Sequence, residues 1–192
     1  MEGRLGRILI SHDEITVRVA ELGEAIRRDY AGRAPVLVGV LKGAVIFAAD
    51  LIRAIALPVS LDFMSVSSYG SSTRPSGVVR LSSDLSLSIE GRDVIIVEDI
   101  IDSGRTISYL RRNLATRHPR SLALCVLLDK VARREVDVTV DYVGFVLIRN
   151  PISLSAHDFY IGQFPWIYLI YLAIFISPIL CAALRSKRAS TT

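Results

Sequence analysis

The chain has 192 residues, of which 51 % are apolar, and a formal net charge of +4. That length suits one domain with a substantial core. Arg185, Lys187 and Arg188 supply three of the four excess charges, so the body is near neutral and shows no nucleic-acid footprint. Cys125 and Cys181 make no disulfide framework and point to a reducing cytosol, and the N-terminal stretch lacks the apolar core of a signal peptide.

Ser11 and Glu14 have capping-box spacing, and Ile15, Val19, Leu22 and Ile26 recur at helical intervals, predicting a helix from about His12 to Asp29. VLVGVL (Val36 to Leu41) reads as a buried strand. Lys42 and Gly43 follow at its carboxyl end, well placed to meet an anion, and an apolar helix runs to about Ile55. SLDFMSV (Ser60 to Val66) is a second strand. The loop Ser67 to Gly77 is too polar to pack and too long for a tight turn, with Val78 to Leu81 returning as the other arm of a hairpin.

The rest is organised around DVIIVEDIIDSGRTI, Asp93 to Ile107. Val94 to Val97 reads as a strand buried on both faces, as in a parallel sheet. Glu98 and Asp99 follow it, and Asp102, Ser103, Gly104, Arg105 and Thr106 form a turn into a helix ending near Leu114. Small residues with a glycine let backbone N–H groups converge, and the helix adds its positive end, which together suit a phosphate. Three acids beside an anion site must serve something else: ribose hydroxyls, hydrated Mg²⁺ or a proton in transit. The stretch therefore reads as a cradle for a ribose 5-phosphate. The competing reading is an ordinary strand–turn–helix with solvated acids. SLALCVLLDK (Ser121 to Lys130) is a further buried strand with Lys130 at its carboxyl end.

VEDIIDSGRT resembles the phosphoribosyl-pyrophosphate signature of type I phosphoribosyltransferases, and Asp102 makes it most similar to the hypoxanthine-guanine branch. The likeness spans roughly residues 8 to 145, with DYVGF (Asp141 to Phe145) as the family's next strand. It implies an α/β fold: a mainly parallel twisted sheet flanked by helices, with a hairpin lid. It implies transfer of phosphoribosyl from phosphoribosyl pyrophosphate to hypoxanthine or guanine, giving IMP or GMP and pyrophosphate. In that scheme Glu98 and Asp99 hold the ribose hydroxyls and Mg²⁺, while Asp102 handles the proton at purine N7. Asp102 to Thr106 hold the 5-phosphate. Lys42 and Gly43 meet the pyrophosphate, behind a Leu41–Lys42 bond that is often cis in the family, and Arg134 falls where the family has an arginine near the pyrophosphate. Lys130 reads the purine. Ser68 and Tyr69 match the lid's Ser-Tyr pair, which closes because water would trap the oxocarbenium-like centre. A homo-oligomer in the cytoplasm is expected.

Beyond Val146 the likeness fades. From there to Leu184 only Arg149 and Asp158 are charged. An ungapped continuation puts Pro151 at the family's stacking aromatic, Phe164 at an arginine and Asp158 at a further Mg²⁺ ligand. Residues 164–184 carry no charge and precede RSKR, which meets the length criterion for a membrane helix with Trp166 and Tyr168 as interfacial anchors. The division expected is a phosphoribosyltransferase domain (1–148), a connecting segment (149–163), a hydrophobic helix (164–184) and a basic tail (185–192). Three alternatives stand beside the active cytosolic enzyme: a donor-binding regulatory module without turnover, a membrane-anchored relative, and an altered reading frame near residue 146.

Overall fold

The computed structural model describes residues 10–68 and 79–147. The chain runs α1 (His12–Asp29), β1 (Val36–Leu41), α2 (Val45–Ile55), β2 (Ser60–Ser68), β3 (Val79–Ser83), β4 (Asp93–Ile101), α3 (Arg105–Ala115), β5 (Ser121–Asp129) and β6 (Tyr142–Val146), with a 3₁₀ turn at Val131–Arg133. The expected start of α1 is there in full: Ser11 Oγ accepts from Glu14 N at 3.2 Å, and Glu14 Oε2 accepts from Ser11 N at 2.6 Å.

Six strands form one sheet in the order β3-β2-β1-β4-β5-β6. Only the β2–β3 hairpin is antiparallel; the other four pairings are parallel. Side chains alternate between two cores. Leu37, Ile95, Val97, Ala123, Cys125 and Leu127 pack with the apolar faces of α1 and α2. Val36, Val38, Val40, Val94, Ile96, Leu124 and Val126 pack with Ile107, Leu110 and Leu114 of α3. Near-continuous apolar strands are what a sheet covered on both faces demands. The expected fold class is the one observed.

The structure departs from the expected boundaries in one consequential way. β4 extends through Ile101, so Glu98 and Asp99 lie inside the strand and not beyond it. The reason is the ladder with β5, which continues through Ile100↔Leu128 and Ile101↔Asp129 and outweighs the poor strand preference of acids. β2 likewise runs to Ser68. No helix among the described residues is long and apolar enough to cross a membrane. Tyr69, Asp158, the 149–163 connection, the 164–184 helix and the basic tail lie outside the described residues, as does the Ser68 side chain.

β1 occupies the position where strand order reverses, with β2 on one side and β4 on the other. In open α/β sheets the crevice outside the carboxyl ends of such strands is where ligands bind. The acids of β4 and the Lys-Gly pair after β1 both sit there.

Candidate active site

A loop and a strand far apart in sequence meet at this crevice. Gly43, two residues past β1, lies against Asp99 of β4. A β-carbon built on Gly43 would fall 2.6 Å from Asp99 Cγ and 2.8 Å from Oδ1, and closer still to Oδ2. Only a residue without a side chain lets that carboxylate fit. The Leu41–Lys42 peptide between strand and glycine is cis, as the resemblance led one to expect. Asp99 is buried at 6 % exposure, and its Oδ1 accepts from the Ile100 N–H at 2.8 Å.

Glu98 stands next to it on the strand's other side. Its Oε2 is buried and has no hydrogen-bond partner among the described residues. Burial pushes the Glu98 carboxyl well above the usual range, and the neighbouring Asp99 charge adds to the shift. A buried acid left unpartnered is costly, so it marks a place where a ligand completes the structure. Among the described residues no group of three or more His, Cys, Asp or Glu forms a metal cage. Mg²⁺ needs no such cage: it takes one or two carboxylates and fills its other positions with water and substrate phosphates, so a single acid of these two suffices.

The turn after β4 has the form of an anion site. Gly104 caps α3 in the left-handed region (φ +84°), with no side-chain cap and no acid in the first helical turn. The helix's leading N–H groups and the positive end of its dipole are thus left for an incoming anion. Ser103 Oγ lies 3.5 Å from the Arg105 N–H. Arg105 forms an ion pair with Glu135 at 2.6 Å across the rim. Thr106 sits half-buried in the first turn of α3.

Asp102 opens this turn half-exposed. Arg133 Nε stands 2.9 Å from its Oδ1, an ion contact whose angle falls short of a hydrogen bond. Lys130 begins the segment after β5, and its N–H bonds the Ile101 carbonyl at 3.0 Å, so Lys130 and Asp102 flank the same pair of strand ends. Arg134 does not lie in a solvated turn: it is 14 % exposed, pairs with Asp129, and lays its Cδ against Gly104. The structure therefore gathers Gly43 with Asp99, and Asp102, Lys130 and Arg134 with the α3 turn. Sequence reasoning missed Asp129, Arg133 and Glu135. The signal for Asp129 was an acid ending an otherwise apolar strand five residues before an arginine.

Comparison with known proteins agrees with this geometry. Residues 9–159 match the family described as phosphoribosyl transferase domain. The hypoxanthine-guanine phosphoribosyltransferase of Mycobacterium avium is 53 % identical over 149 residues, covering 74 % of this chain and 73 % of that protein. The hypoxanthine phosphoribosyltransferase of Salmonella typhimurium is 51 % identical over 140 residues, covering 72 % of this chain and 79 % of its own. The crystal structure of a hypoxanthine-guanine phosphoribosyltransferase from Bacillus anthracis superposes with a TM-score of 0.72 at 45 % identity, over 76 % of this chain and 86 % of that one. Sequence, fold and the meeting of the Lys-Gly loop with β4 at the switch point agree: the chain belongs to the hypoxanthine-guanine phosphoribosyltransferase family.

Proposed function

We propose that the chain is a purine salvage enzyme. It transfers the phosphoribosyl group of phosphoribosyl pyrophosphate to hypoxanthine or guanine, giving IMP or GMP and pyrophosphate. The observation that carries this reading is the contact of Gly43 with Asp99, which brings a Lys-Gly loop and a pair of acids to one crevice.

The roles follow from the chemistry. Gly104 and the start of α3, with Asp102, Ser103, Arg105 and Thr106, bind the 5-phosphate through N–H groups and the helix dipole. Glu98 and Asp99 accept from the ribose hydroxyls and would hold a hydrated Mg²⁺, joined by Asp158. When bound, that ion neutralises charge on the departing pyrophosphate. Lys42 supplies the positive charge and Gly43 the close approach for the same leaving group, while Arg134, paired with Asp129 beneath Gly104, acts behind the phosphate turn. Purine N9 attacks C1 of the ribose as the bond to pyrophosphate breaks, and the proton at N7 passes to Asp102, positioned next to the turn. Lys130 donates to the 6-oxo group and so prefers hypoxanthine and guanine over adenine. Ser68 and Tyr69 match the family's lid pair, whose role would be to keep water from the reacting centre.

The same reading makes the protein a cytoplasmic homo-oligomer with phosphoribosyl pyrophosphate and a 6-oxopurine as its small-molecule partners. The buried free thiol of Cys125 accords with a reducing compartment. The test is IMP formation from hypoxanthine, donor and Mg²⁺. Donor binding without IMP would mark a regulatory module instead. Carbonate extraction of membranes tests the 164–184 stretch: recovery in the soluble fraction removes the membrane-anchored alternative.

A further inference from the structure

The phosphate turn does not hold itself. Three strands end together at Asp129, which pairs in register with Ile101 of β4 and Val146 of β6 and whose carbonyl accepts from Leu147 N at 2.7 Å. From there the chain doubles back under the turn. Glu135 N and Val136 N both donate to the Ser103 carbonyl, at 3.0 and 3.1 Å. The Ser103–Gly104 peptide is trans, so a carbonyl pinned toward residues 135–136 aims the Gly104 N–H the opposite way, away from that segment. The left-handed Gly104 leaves no slack there. A β-carbon on it would meet Val136 O at 2.7 Å, Arg134 Cδ at 3.0 Å and Val138 Cγ2 at 3.2 Å.

Arg134 is the piece that locks this arrangement, and Asp129 is what lets a guanidinium sit there. The Arg134 side chain is 14 % exposed and that of Asp129 is 9 % exposed, and Arg134 Nη2 donates to Asp129 Oδ1. Nε and Nη1 of Arg134 are buried with no hydrogen-bond partner among the described residues, so within them Asp129 carries the compensation of its charge. Removing one member of such a pair leaves a buried charge uncompensated, and the other member moves toward water. Arg134 would then leave the underside of Gly104.

The geometry points to Asp129 as a positioning residue for the transfer reaction: through Arg134 it sets the direction of the Gly104 N–H and so governs affinity for the donor's 5-phosphate, without touching substrate. This rests on the phosphoribosyltransferase reading above.

The experiment measures IMP formation by wild type, Asp129→Asn, and the paired variant Asp129→Leu with Arg134→Met, which replaces both buried charges by apolar groups and keeps the site packed. Competition by ribose 5-phosphate reports the phosphate subsite directly. Asp129→Asn raises the donor KM by about tenfold and weakens ribose 5-phosphate by the same factor, while the hypoxanthine KM stays within about twofold. The paired variant recovers the wild-type melting temperature yet keeps the raised donor KM, which separates positioning from stability. A donor KM at the wild-type value in either folded variant overturns the inference, as does an equal rise for both substrates. Absence of IMP with wild type would instead remove the transferase reading itself.

Discussion

Gly43→Ala isolates the contact on which the site depends. Gly43 is not among the residues with positive φ, so alanine meets no backbone strain and the effect reports the close approach alone. Its methyl would stand 2.6 Å from Asp99 Cγ and 2.8 Å from Oδ1, where ordinary contact begins near 3.4 Å. The carboxylate or the loop must therefore yield by the better part of an ångström. Overpacking of that kind costs about 1–3 kcal/mol. At about 2–4 °C per kcal/mol for a chain of this size, melting should fall by about 2–12 °C. The kinetic effect should be larger, because displacing a binding group by about 1 Å costs about a hundredfold in rate. The assay is kcat/KM for phosphoribosyl pyrophosphate at saturating hypoxanthine, beside a thermal melt. An alanine variant within about threefold of wild type in donor kcat/KM would refute the reasoning. The loop and the strand would then meet without mattering to the donor.

Asp102→Asn should lower kcat by about 10²–10⁴ with little change in donor KM, since it removes a proton acceptor and keeps the shape; a near-normal kcat would remove Asp102 from proton transfer. Lys130→Met should raise the hypoxanthine KM by about 10- to 100-fold and leave the donor KM unchanged, from loss of one charged hydrogen bond. Equal effects on both substrates would contradict a base-reading role. At the opposite end of the sheet, Asp93 has a fully covered side chain and accepts from Arg120 Nε at 3.1 Å and Ser121 Oγ at 2.6 Å, with Arg33 Nη1 at 3.5 Å. Its hydrogen bond with Arg120, aided by Ser121 and the charges of Arg120 and Arg33, holds the carboxyl below its ordinary value of 3.8. A depressed folded value means the stabilisation is present above 3.8 and lost as pH falls through that lower value. Asp93→Asn should therefore cost about 1 kcal/mol at neutral pH, because the guanidiniums it leaves behind are half-exposed and solvated. Urea melts should show the gap to wild type shrinking in acid; a gap independent of pH would show that ionisation of Asp93 is not its source.

Much of this protein was legible in one dimension because its determinants are local. The capping box at Ser11 and Glu14, the apolar period of α1 and the unbroken aliphatic runs of β1, β4 and β5 each follow from a few neighbouring residues. So does the α3 turn, where a single glycine in the left-handed region and an uncapped helix start give five consecutive residues the form of an anion site. Those stretches determined the α/β class, the cradle and the family. What the residue order could not state was which distant groups share a space. Glu98 and Asp99 entered the strand because the β5 ladder extended past them, a consequence of pairing with residues 28 positions away. Gly43 became indispensable only when Asp99 took the volume of its missing side chain, and Asp129 gained a role only when Arg134 folded back under Gly104. Secondary structure and turn chemistry are written in short-range sterics and hydrogen bonding. Exclusion of volume and compensation of buried charge depend on tertiary packing, and those two decided the architecture of the site.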